Sequence, residues 1–303
     1  MELSSIVFLQ VMIIFVLLAL GFTLSKIGMV KDSGLKQITD VLLYVVTPCL
    51  IVNAYQKEFS KELISGLLIG FVFSLIIHIV GIVISTLCFP KGKFKTYRES
   101  IFGAVYSNCG YMAIPLLTAA LGSDGVFYGS AYLAVFTILY WTHGVCVYRG
   151  DTKELSIKKI IKNPGIIGVT LALIMFVFGI KLPYVIGEAV GHVSNLNTPL
   201  AMIVMGSYLA KTDFKKALSS VPVYLVCALR LIVIPVICVF LAKLLPIPDI
   251  VAKSLLISAA CPTAAVATLL AGKYELDASY SAETVAISTL LSIVTIPLVL
   301  MLY

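Results

Sequence analysis

The chain has 303 residues, of which 60% are hydrophobic and 12% are charged. A soluble globular domain is about 45–50% apolar and about 25% charged, so this composition excludes a soluble protein and indicates a chain that crosses a membrane many times. The formal net charge is +7, and the basic residues lie mostly in short connections between apolar segments. Basic residues in such connections indicate how the chain is oriented in the cell membrane. Membrane lipid is therefore an expected partner, and nucleic acid is not.

The cysteines follow the apolar segments rather than any ligand pattern. All seven lie within or at the ends of apolar segments, and no two form a C-x-x-C pair. The sequence therefore predicts no metal site, no disulfide and no cofactor. The seven are Cys49, Cys88, Cys109, Cys146, Cys227, Cys238 and Cys261.

Ten apolar segments are predicted to span the membrane. They cover residues 6–24, 35–54, 63–89, 100–121, 126–148, 165–182, 184–210, 222–245, 250–272 and 279–302. No basic residue precedes the first segment, so we expect it to remain as a span and not to be a signal peptide. The loops after odd-numbered spans carry sixteen of the 22 Lys and Arg residues, and the other loops carry five. The positive-inside rule then predicts a multi-pass protein with both termini outside.

The order of the prolines indicates an internal repeat. The longest polar connection, residues 149–163, divides the spans into two sets of five. Pro48 in the second span corresponds to Pro199 in the seventh, and Pro115 in the fourth corresponds to Pro262 in the ninth. Because each set has an odd number of spans, the second set enters the membrane from the opposite side. The predicted fold is all-α, with ten transmembrane helices in a 5 + 5 inverted repeat.

The fourth span contains a polar and helix-breaking run in the middle of the membrane. Asn108 and Gly110 precede Pro115, which cannot donate to the carbonyl of Tyr111. We expect the helix to break here, with Pro115 as the first residue of a second half-helix whose free N–H groups attract an anion. The alternative is a proline kink that serves packing only.

Side chains around the two expected breaks are candidates for binding that anion. Asn108 can donate two hydrogen bonds to a carboxylate, or it can instead repair the broken backbone. Hydroxyl groups near the breaks can bind the anion, or can bond to carbonyls of their own helix. Besides Asn108, the candidates at the breaks are Ser107, Gly110, Pro115, Ser258, Cys261, Pro262 and Thr263.

Three further candidates lie in other spans. Arg230 keeps its charge inside the eighth span, so it must face a structural partner, a carbonyl that it caps, a cavity or the substrate. Asn53 and Asn197 lie in the second and seventh spans, where they either line the cavity or form hydrogen bonds between helices. Asp40 and Glu283 are the ionisable groups placed to carry a coupled proton, and no cluster of carboxylates and amides predicts a sodium site.

Gly-x-x-x-Gly pairs predict close contacts between helices, although the pattern is frequent in membrane proteins. They occur at residues 66 and 70, 125 and 129, and 187 and 191.

Two stretches resemble the auxin efflux carrier family. The run NCGYMAIPLL, residues 108–117, is similar to the family's fourth-span signature, and residues 260–303 are similar to its ninth and tenth spans. The resemblance implies that spans 4 and 9 cross at their breaks within a mobile, elevator-type transport domain. It also implies a scaffold of spans 1, 2, 6 and 7, which often forms the contact of a homodimer. The chain departs from the family at Ala113, where many members have glycine, and in its short 149–163 loop.

This resemblance and the repeat together predict the domain organisation. Residues 1–62 and 164–215 are the scaffold helices of the two repeats, residues 63–148 and 216–303 are their transport helices, and residues 149–163 are a cytoplasmic loop. Family substrates are organic anions: auxin in plants, and malate- or malonate-like carboxylates in bacterial members.

The predicted function is secondary transport of a small organic anion, auxin- or malate-like, by alternating access. A channel or a ligand sensor on the same fold is the alternative. An intramembrane enzyme would need a catalytic motif such as H-E-x-x-H or G-x-S-x-G, and neither occurs in the sequence.

Overall fold

The structure, a computed structural model, describes residues 3–150 and 161–303, and within them the regular elements are helices. Residues 151–160 of the predicted 149–163 loop lie outside the described residues. The helices are α1 (Leu3–Lys26), α2 (Asp32–Ala54), α3 (Lys61–Cys88), α4 (Tyr97–Val105), α5 (Cys109–Arg149), α6 (Pro164–Val177), α7 (Tyr184–Ser194), α8 (Asn197–Leu209), α9 (Phe214–Ser219), α10 (Val221–Leu244), α11 (Asp249–Ala260), α12 (Val266–Lys273) and α13 (Ala278–Met301). The predicted all-α fold is confirmed for these residues.

Within residues 3–150 and 161–303, six helices are long and apolar enough to cross a membrane: α1, α2, α3, α5, α10 and α13. Helix α5 has 41 residues, which at about 1.5 Å per residue is twice the thickness of a bilayer core of about 30 Å. Inside it, Gly122 has φ 62° and ψ −149°, a backbone conformation that glycine adopts without steric cost. Gly122 therefore separates two helical stretches. The other predicted spans fall on the shorter helices α4, α6, α7, α8, α11 and α12.

Three prolines inside long helices follow wide, π-helical turns. A π turn contains one residue more than an α turn, which makes room for the proline ring and its missing N–H. The turns Leu42–Val46, Cys109–Ala113 and Leu229–Val233 precede Pro48, Pro115 and Pro235, each by two residues.

The place of Pro115 differs from the sequence-based expectation. Helix α5 begins at Cys109, so Pro115 is not the first residue of the second half-helix but lies inside it, buried. The π turn absorbs the proline, and the chain leaves the helical path earlier, after Val105.

Two short non-helical interruptions between consecutive helices meet each other. The first interruption lies between α4 and α5, and the second lies between α11 and α12. In the two short extended segments, Ser107 and Thr263 form an isolated antiparallel bridge. The N–H of Asn108 donates to the carbonyl of Pro262 at 2.7 Å. Such bonds satisfy backbone groups that would cost several kcal/mol if left unpaired in an apolar surrounding.

The helices form two groups, each packed mainly on itself. One group contains α1, α2, α6, α7 and α8, with α1 packed on α8 and α2 packed on α6 and α7. The other contains α3, α4, α5 and α10–α13, with α5 packed on α3 and α11. Within the first group, the backbones of α1 and α8 nearly touch: a Cβ atom on Gly206 would lie 2.0 Å from the carbonyl oxygen of Leu18.

Among the described residues, several polar contacts near the helix ends join segments of the same predicted side. On the side predicted to be cytoplasmic, Lys211 pairs with Asp32, Lys216 pairs with Glu283, and Glu99 accepts the N–H of Asp277. On the opposite side, Lys57 pairs with Asp124, and Gln56 accepts the N–H of Leu182.

Candidate functional site

A cavity of about 250 Å³ lies between the two helix groups and reaches the meeting point of the two interruptions. From there it extends toward Trp141, Asn163 and Leu269, near the helix ends beside the predicted cytoplasmic loops. Its lining residues are Leu43, Tyr44, Thr47, Ser107, Asn108, Gly110, Tyr111, Leu133, Phe136, Thr137, Tyr140, Trp141, Asn163, Pro164, Gly165, Tyr208, Ala264, Ala265, Val266 and Leu269.

Two helix N-termini contribute to this cavity. Gly110 and Tyr111 in the first turn of α5 line it, as do Ala265 and Val266 at the start of α12. The N–H groups of a first helical turn lack acceptors within the helix, and they carry partial positive charge. Among the residues that the structure describes, none that lines the cavity is Asp, Glu, Lys, Arg or His. The arrangement can therefore hold an anion through neutral donors alone.

Asn108 is buried beside these N-termini with its amide only weakly engaged. The side chain is 3% exposed, and its Nδ2 donates to the sulfur of Met205 on α8 at 3.4 Å. Because a thioether is a weak acceptor, the amide donors remain free for a better one. The backbone repair that was the alternative role belongs to the N–H of Asn108, not to its side chain.

An aromatic wall faces the polar end of the cavity, and the sequence analysis did not identify it. Five lining residues of α5 have the spacing i, i+3, i+4, i+7 and i+8, which places them on one face of a helix. They are Leu133, Phe136, Thr137, Tyr140 and Trp141. This spacing was the available signal, but in an apolar span it does not separate a cavity wall from lipid-facing or packed residues.

Of the other candidates in the fourth span, two line the cavity and one does not. Ser107 lines it and is fully buried, and its hydroxyl donates to the Tyr132 hydroxyl at 3.4 Å. Gly110 lines it with open space where a side chain would be, since a Cβ atom there would meet only Leu133 at 4.0 Å. Pro115 is buried and does not line the cavity.

The candidates of the ninth span support the crossing and do not line the cavity. Ser258 donates to the carbonyl of Ser254 at 2.9 Å, as expected for the alternative of bonding within its own helix. Cys261 likewise contacts the carbonyl of Ile257 at 3.3 Å. Thr263 donates to the carbonyl of Gly103 at 2.9 Å, while Pro262 offers its carbonyl to Asn108.

Arg230 lies behind the crossing, fully buried, and does not line the cavity. Its guanidinium donates to the carbonyls of Val105 at 2.8 Å and Ala104 at 3.3 Å, at the end of α4. It also donates to the carbonyl of Ala259 at the end of α11. Helix C-termini carry partial negative charge, so one arginine compensates two of them. This is a carbonyl cap, as one of the alternatives proposed, but on carbonyls of other helices.

Asn53 is exposed on α2 and lies away from the cavity. Asn197 is buried, and its Nδ2 donates to the hydroxyl of Thr47 at 3.4 Å. Since Thr47 lines the cavity, Asn197 lies one layer behind the cavity wall and supports Thr47 there.

The two candidates for carrying a coupled proton do not line the cavity. Asp40 is exposed, whereas Glu283 is buried and accepts from Lys216 at 2.9 Å.

Comparison with known proteins gives the identity of the chain at family level. A family model described as membrane transport protein matches residues 6–300. The chain is similar to an uncharacterized transporter of Methanocaldococcus jannaschii, at 26% identity over 95% of this chain and 96% of the relative. It is also similar to an uncharacterized transporter of Methanothermobacter thermautotrophicus, at 24% identity over 95% of each chain.

These matches run along nearly the whole chain, and they confirm the resemblance read from the two sequence stretches. The matches also decide between a transporter and an enzyme, because the family and both relatives are described as transporters. The protein is therefore a multi-pass membrane transport protein of the auxin efflux carrier family, and not an enzyme.

Proposed function

We propose that the protein is a secondary transporter, which binds a small organic anion where the two interrupted helices cross and moves it by alternating access. The observation that carries this proposal is the convergence of two helix N-termini and the Asn108 amide on one cavity whose described lining residues carry no charge. An anion bound there gains hydrogen bonds and favourable dipoles, and no carboxylate among those lining residues repels it.

The substrate class follows from the two ends of the cavity. The polar end suits a carboxylate, and the wall of Phe136, Tyr140 and Trp141 suits an apolar body attached to it. Auxin-like and malate-like anions both carry the carboxylate. The aromatic wall favours the more apolar of the two.

Helix pairing supports the 5 + 5 inverted repeat. If the first span corresponds to the sixth and the second to the seventh, the contact of α1 with α8 must recur as a contact of α6 with α2. Both contacts occur. The two interruptions occupy corresponding positions in the fourth and ninth spans. We therefore assign ten spans, with α4–α5 and α11–α12 as the broken pair.

The two packed helix groups support a scaffold of residues 1–62 and 164–215, and a transport domain of residues 63–148 and 216–303. The cavity lies between them, so a movement of one group against the other would carry the site from one side of the membrane to the other. The proposal also includes a homodimer, in which the scaffold helices of two copies of the chain contact each other.

The cavity lies at the helix ends beside the loops with most of the Lys and Arg residues. With the cytoplasm on that side, both termini are outside and the structure corresponds to an inward-facing state. The segments that contact each other lie on the same predicted side, which supports the division of the connections into two sides.

The test begins with the thermal stability of the purified protein in the presence of a panel of mono- and dicarboxylates. A ligand that binds the folded state raises its stability by RT ln(1 + [L]/Kd). The carboxylate that binds is then used for counterflow in liposomes, because only a carrier exchanges labelled for unlabelled substrate. Flux of the substrate without exchange would show that the protein is a channel. Binding of the substrate without any flux would show that it is a ligand sensor.

A further inference from the structure

The end of the molecule away from the cavity is closed by a cluster of aromatic rings. Tyr55 at the end of α2 packs on Phe127 of α5, with ring centroids 4.5 Å apart. Phe176 of α6 packs on Phe127 at 5.3 Å and on Phe59 at 5.5 Å. Tyr55 and Phe127 are 1% and 0% exposed, respectively. Three of these rings belong to the proposed scaffold or the loop that follows α2, and Phe127 belongs to the proposed transport domain.

A hydrogen bond with a defined direction joins the same two groups. The hydroxyls of Tyr55 and Ser130 lie 2.6 Å apart. The Ser130 hydroxyl also lies 2.6 Å from the carbonyl of Phe127, to which it donates. Its own hydrogen is then used, so Tyr55 is the donor and the Ser130 oxygen accepts.

An ion pair lies at the rim of the cluster. Lys57, two residues after Tyr55, pairs with Asp124 and also donates to the hydroxyl of Ser123 at 2.9 Å. The side chains of Lys57 and Asp124 are 19% and 52% exposed. A pair that exposed is screened by salt and contributes little by itself, so the aromatic contacts carry most of the closure.

We infer that Tyr55 and Phe127 form the outer gate of this transporter, with the Tyr55–Ser130 hydrogen bond and the Lys57–Asp124 pair holding it closed while the cavity faces the cytoplasm. The inference rests on the proposed function, because a gate has meaning only if the cavity opens alternately to both sides. Every one of these contacts joins α2 or the loop after it to α5. They must separate before the site can reach the outer side. Tyr55 is thus a positioning residue for the transport cycle and does not touch the cavity.

The experiment measures access to the cavity from each side of the membrane. A single reporter, Thr137→Cys, is placed in the cavity wall of the full chain after the seven native cysteines are replaced. A membrane-impermeant methanethiosulfonate is then applied to intact cells and, separately, to inside-out vesicles. With the gate residues unchanged, we expect labelling mainly from the cytoplasmic side.

Tyr55→Phe and Ser130→Ala each remove the same hydrogen bond. Each is expected to increase the rate of labelling from outside by about three- to tenfold. Because both variants lose one shared contact, the double variant should match either single variant. Tyr184→Phe is the matched control, since this tyrosine of α7 is 81% exposed and its change should leave the rate unaltered.

Salt provides a second readout. Raising the ionic strength from about 0.05 M to about 0.5 M should accelerate outside labelling slightly with the native ion pair, by less than the loss of the Tyr55–Ser130 hydrogen bond does, and should have no effect in Asp124→Asn. Unaltered outside rates in Tyr55→Phe and Ser130→Ala, with normal labelling from inside, would overturn the gate and leave the proposed function standing. A reporter that reacts from neither side in any variant would instead overturn the proposed function, because the cavity would then not be accessible.

Discussion

Near the two interruptions, the residues placed to bind a substrate differ from those that hold the helices in place. Asn108 presents a nearly free amide to the cavity, whereas Ser258, Thr263 and Arg230 use their polar atoms on backbone carbonyls. Replacing a residue of the first kind should alter affinity, and replacing one of the second kind should alter stability.

For Asn108→Ala, we expect substrate binding to weaken by about tenfold to a hundredfold while the protein still folds. A hydrogen bond to a charged ligand contributes about 1.5–3 kcal/mol, and each 1.4 kcal/mol corresponds to about a tenfold change in affinity. Calorimetric titration with the carboxylate identified by thermal shift measures the effect. Ser258→Ala is the control, because its hydroxyl is satisfied within α11. Wild-type affinity in folded Asn108→Ala would mean that the site lies elsewhere.

For Arg230→Ala, the expected loss is stability. The carbonyls of Ala104, Val105 and Ala259 would lose their donor, at a cost of about 1–3 kcal/mol each, partly offset because a buried charge is removed. We expect the apparent unfolding temperature to fall by about 5–10 °C, equally with and without ligand. Lys253→Ala, which breaks a surface pair with Asp249, should change it little. Unchanged stability combined with reduced affinity would instead assign Arg230 to the substrate.

At the scale of helices, the three glycine pairs do not all behave as their motif predicts. A Cβ atom on Gly66 would lie 2.8 Å from Tyr128, which agrees with a close contact between α3 and α5. A Cβ atom on Gly191 would have nothing within 4 Å, and one on Gly187 would meet only Leu182, at 3.8 Å, so this pair makes no close contact with another helix in the described chain. The tightest approach, at Gly206 and Gly21, has no such motif.

Gly206→Ala should therefore destabilise the contact of α1 with α8. The new methyl group would meet the backbone of Leu18 and Phe22, which cannot move aside as a flexible side chain can. Overpacking of this kind costs about 1–3 kcal/mol. Gly191→Ala is the matched control and should be neutral or stabilising by up to about 1 kcal/mol. Gel filtration after a series of heating steps measures both, and equal heat resistance of the two variants would contradict the packing described.

The short helix α9 is tied to α13 by the pair of Lys216 and Glu283. The carboxylate of Glu283 raises the pKa of Lys216 above its ordinary value. Because the pKa of Lys216 is raised in the folded protein, the pair stabilises the fold fully at pH values below the ordinary lysine pKa. This stabilisation is lost as the pH rises through the raised pKa. Thermal stability should therefore not respond to this pair between about pH 6 and pH 9.

Lys216→Ala should lower thermal stability across that range, because it leaves the buried Glu283 carboxylate without its cation. The double variant with Glu283→Gln should recover part of the loss, since a neutral amide is less costly to bury. A double variant less stable than Lys216→Ala would show that Glu283 has another partner that matters more.

At the scale of the whole molecule, the orientation in the membrane is the prediction on which the inward-facing state and the outer gate depend. Lys215 and Glu58 are exposed and lie between predicted spans, on opposite predicted sides of the membrane. In a background without native cysteines, Glu58→Cys should react with an impermeant maleimide on intact cells, and Lys215→Cys only after permeabilisation. The reverse labelling pattern would mean that the molecule has the opposite orientation in the membrane, and the cavity of this structure would then face outward.

The sequence alone determined the class of protein, its helical content and the position of its long helices. The predicted spans 6–24, 35–54, 63–89, 222–245 and 279–302 agree within three residues with α1, α2, α3, α10 and α13. These features are local, because each segment must by itself match the thickness and the apolar character of the bilayer. The sequence predicted the Asn108 region as a candidate site for a similar reason, since an amide, a glycine and a proline in mid-membrane stand out within ten residues.

Only the tertiary structure decided where helix α4 ends and α5 begins, what Arg230 bonds to, and which aromatic rings line the cavity or pack between α2, α5 and α6. Each of these depends on partners distant in sequence, such as Ala264 for Tyr106 and Ala104 for Arg230. A proline removes one N–H, but whether the chain then breaks or widens into a π turn depends on which neighbouring groups satisfy the freed carbonyls. At Pro115 a π turn forms, while at Ser107 and Thr263 the two extended segments satisfy each other, and no local pattern distinguishes these outcomes.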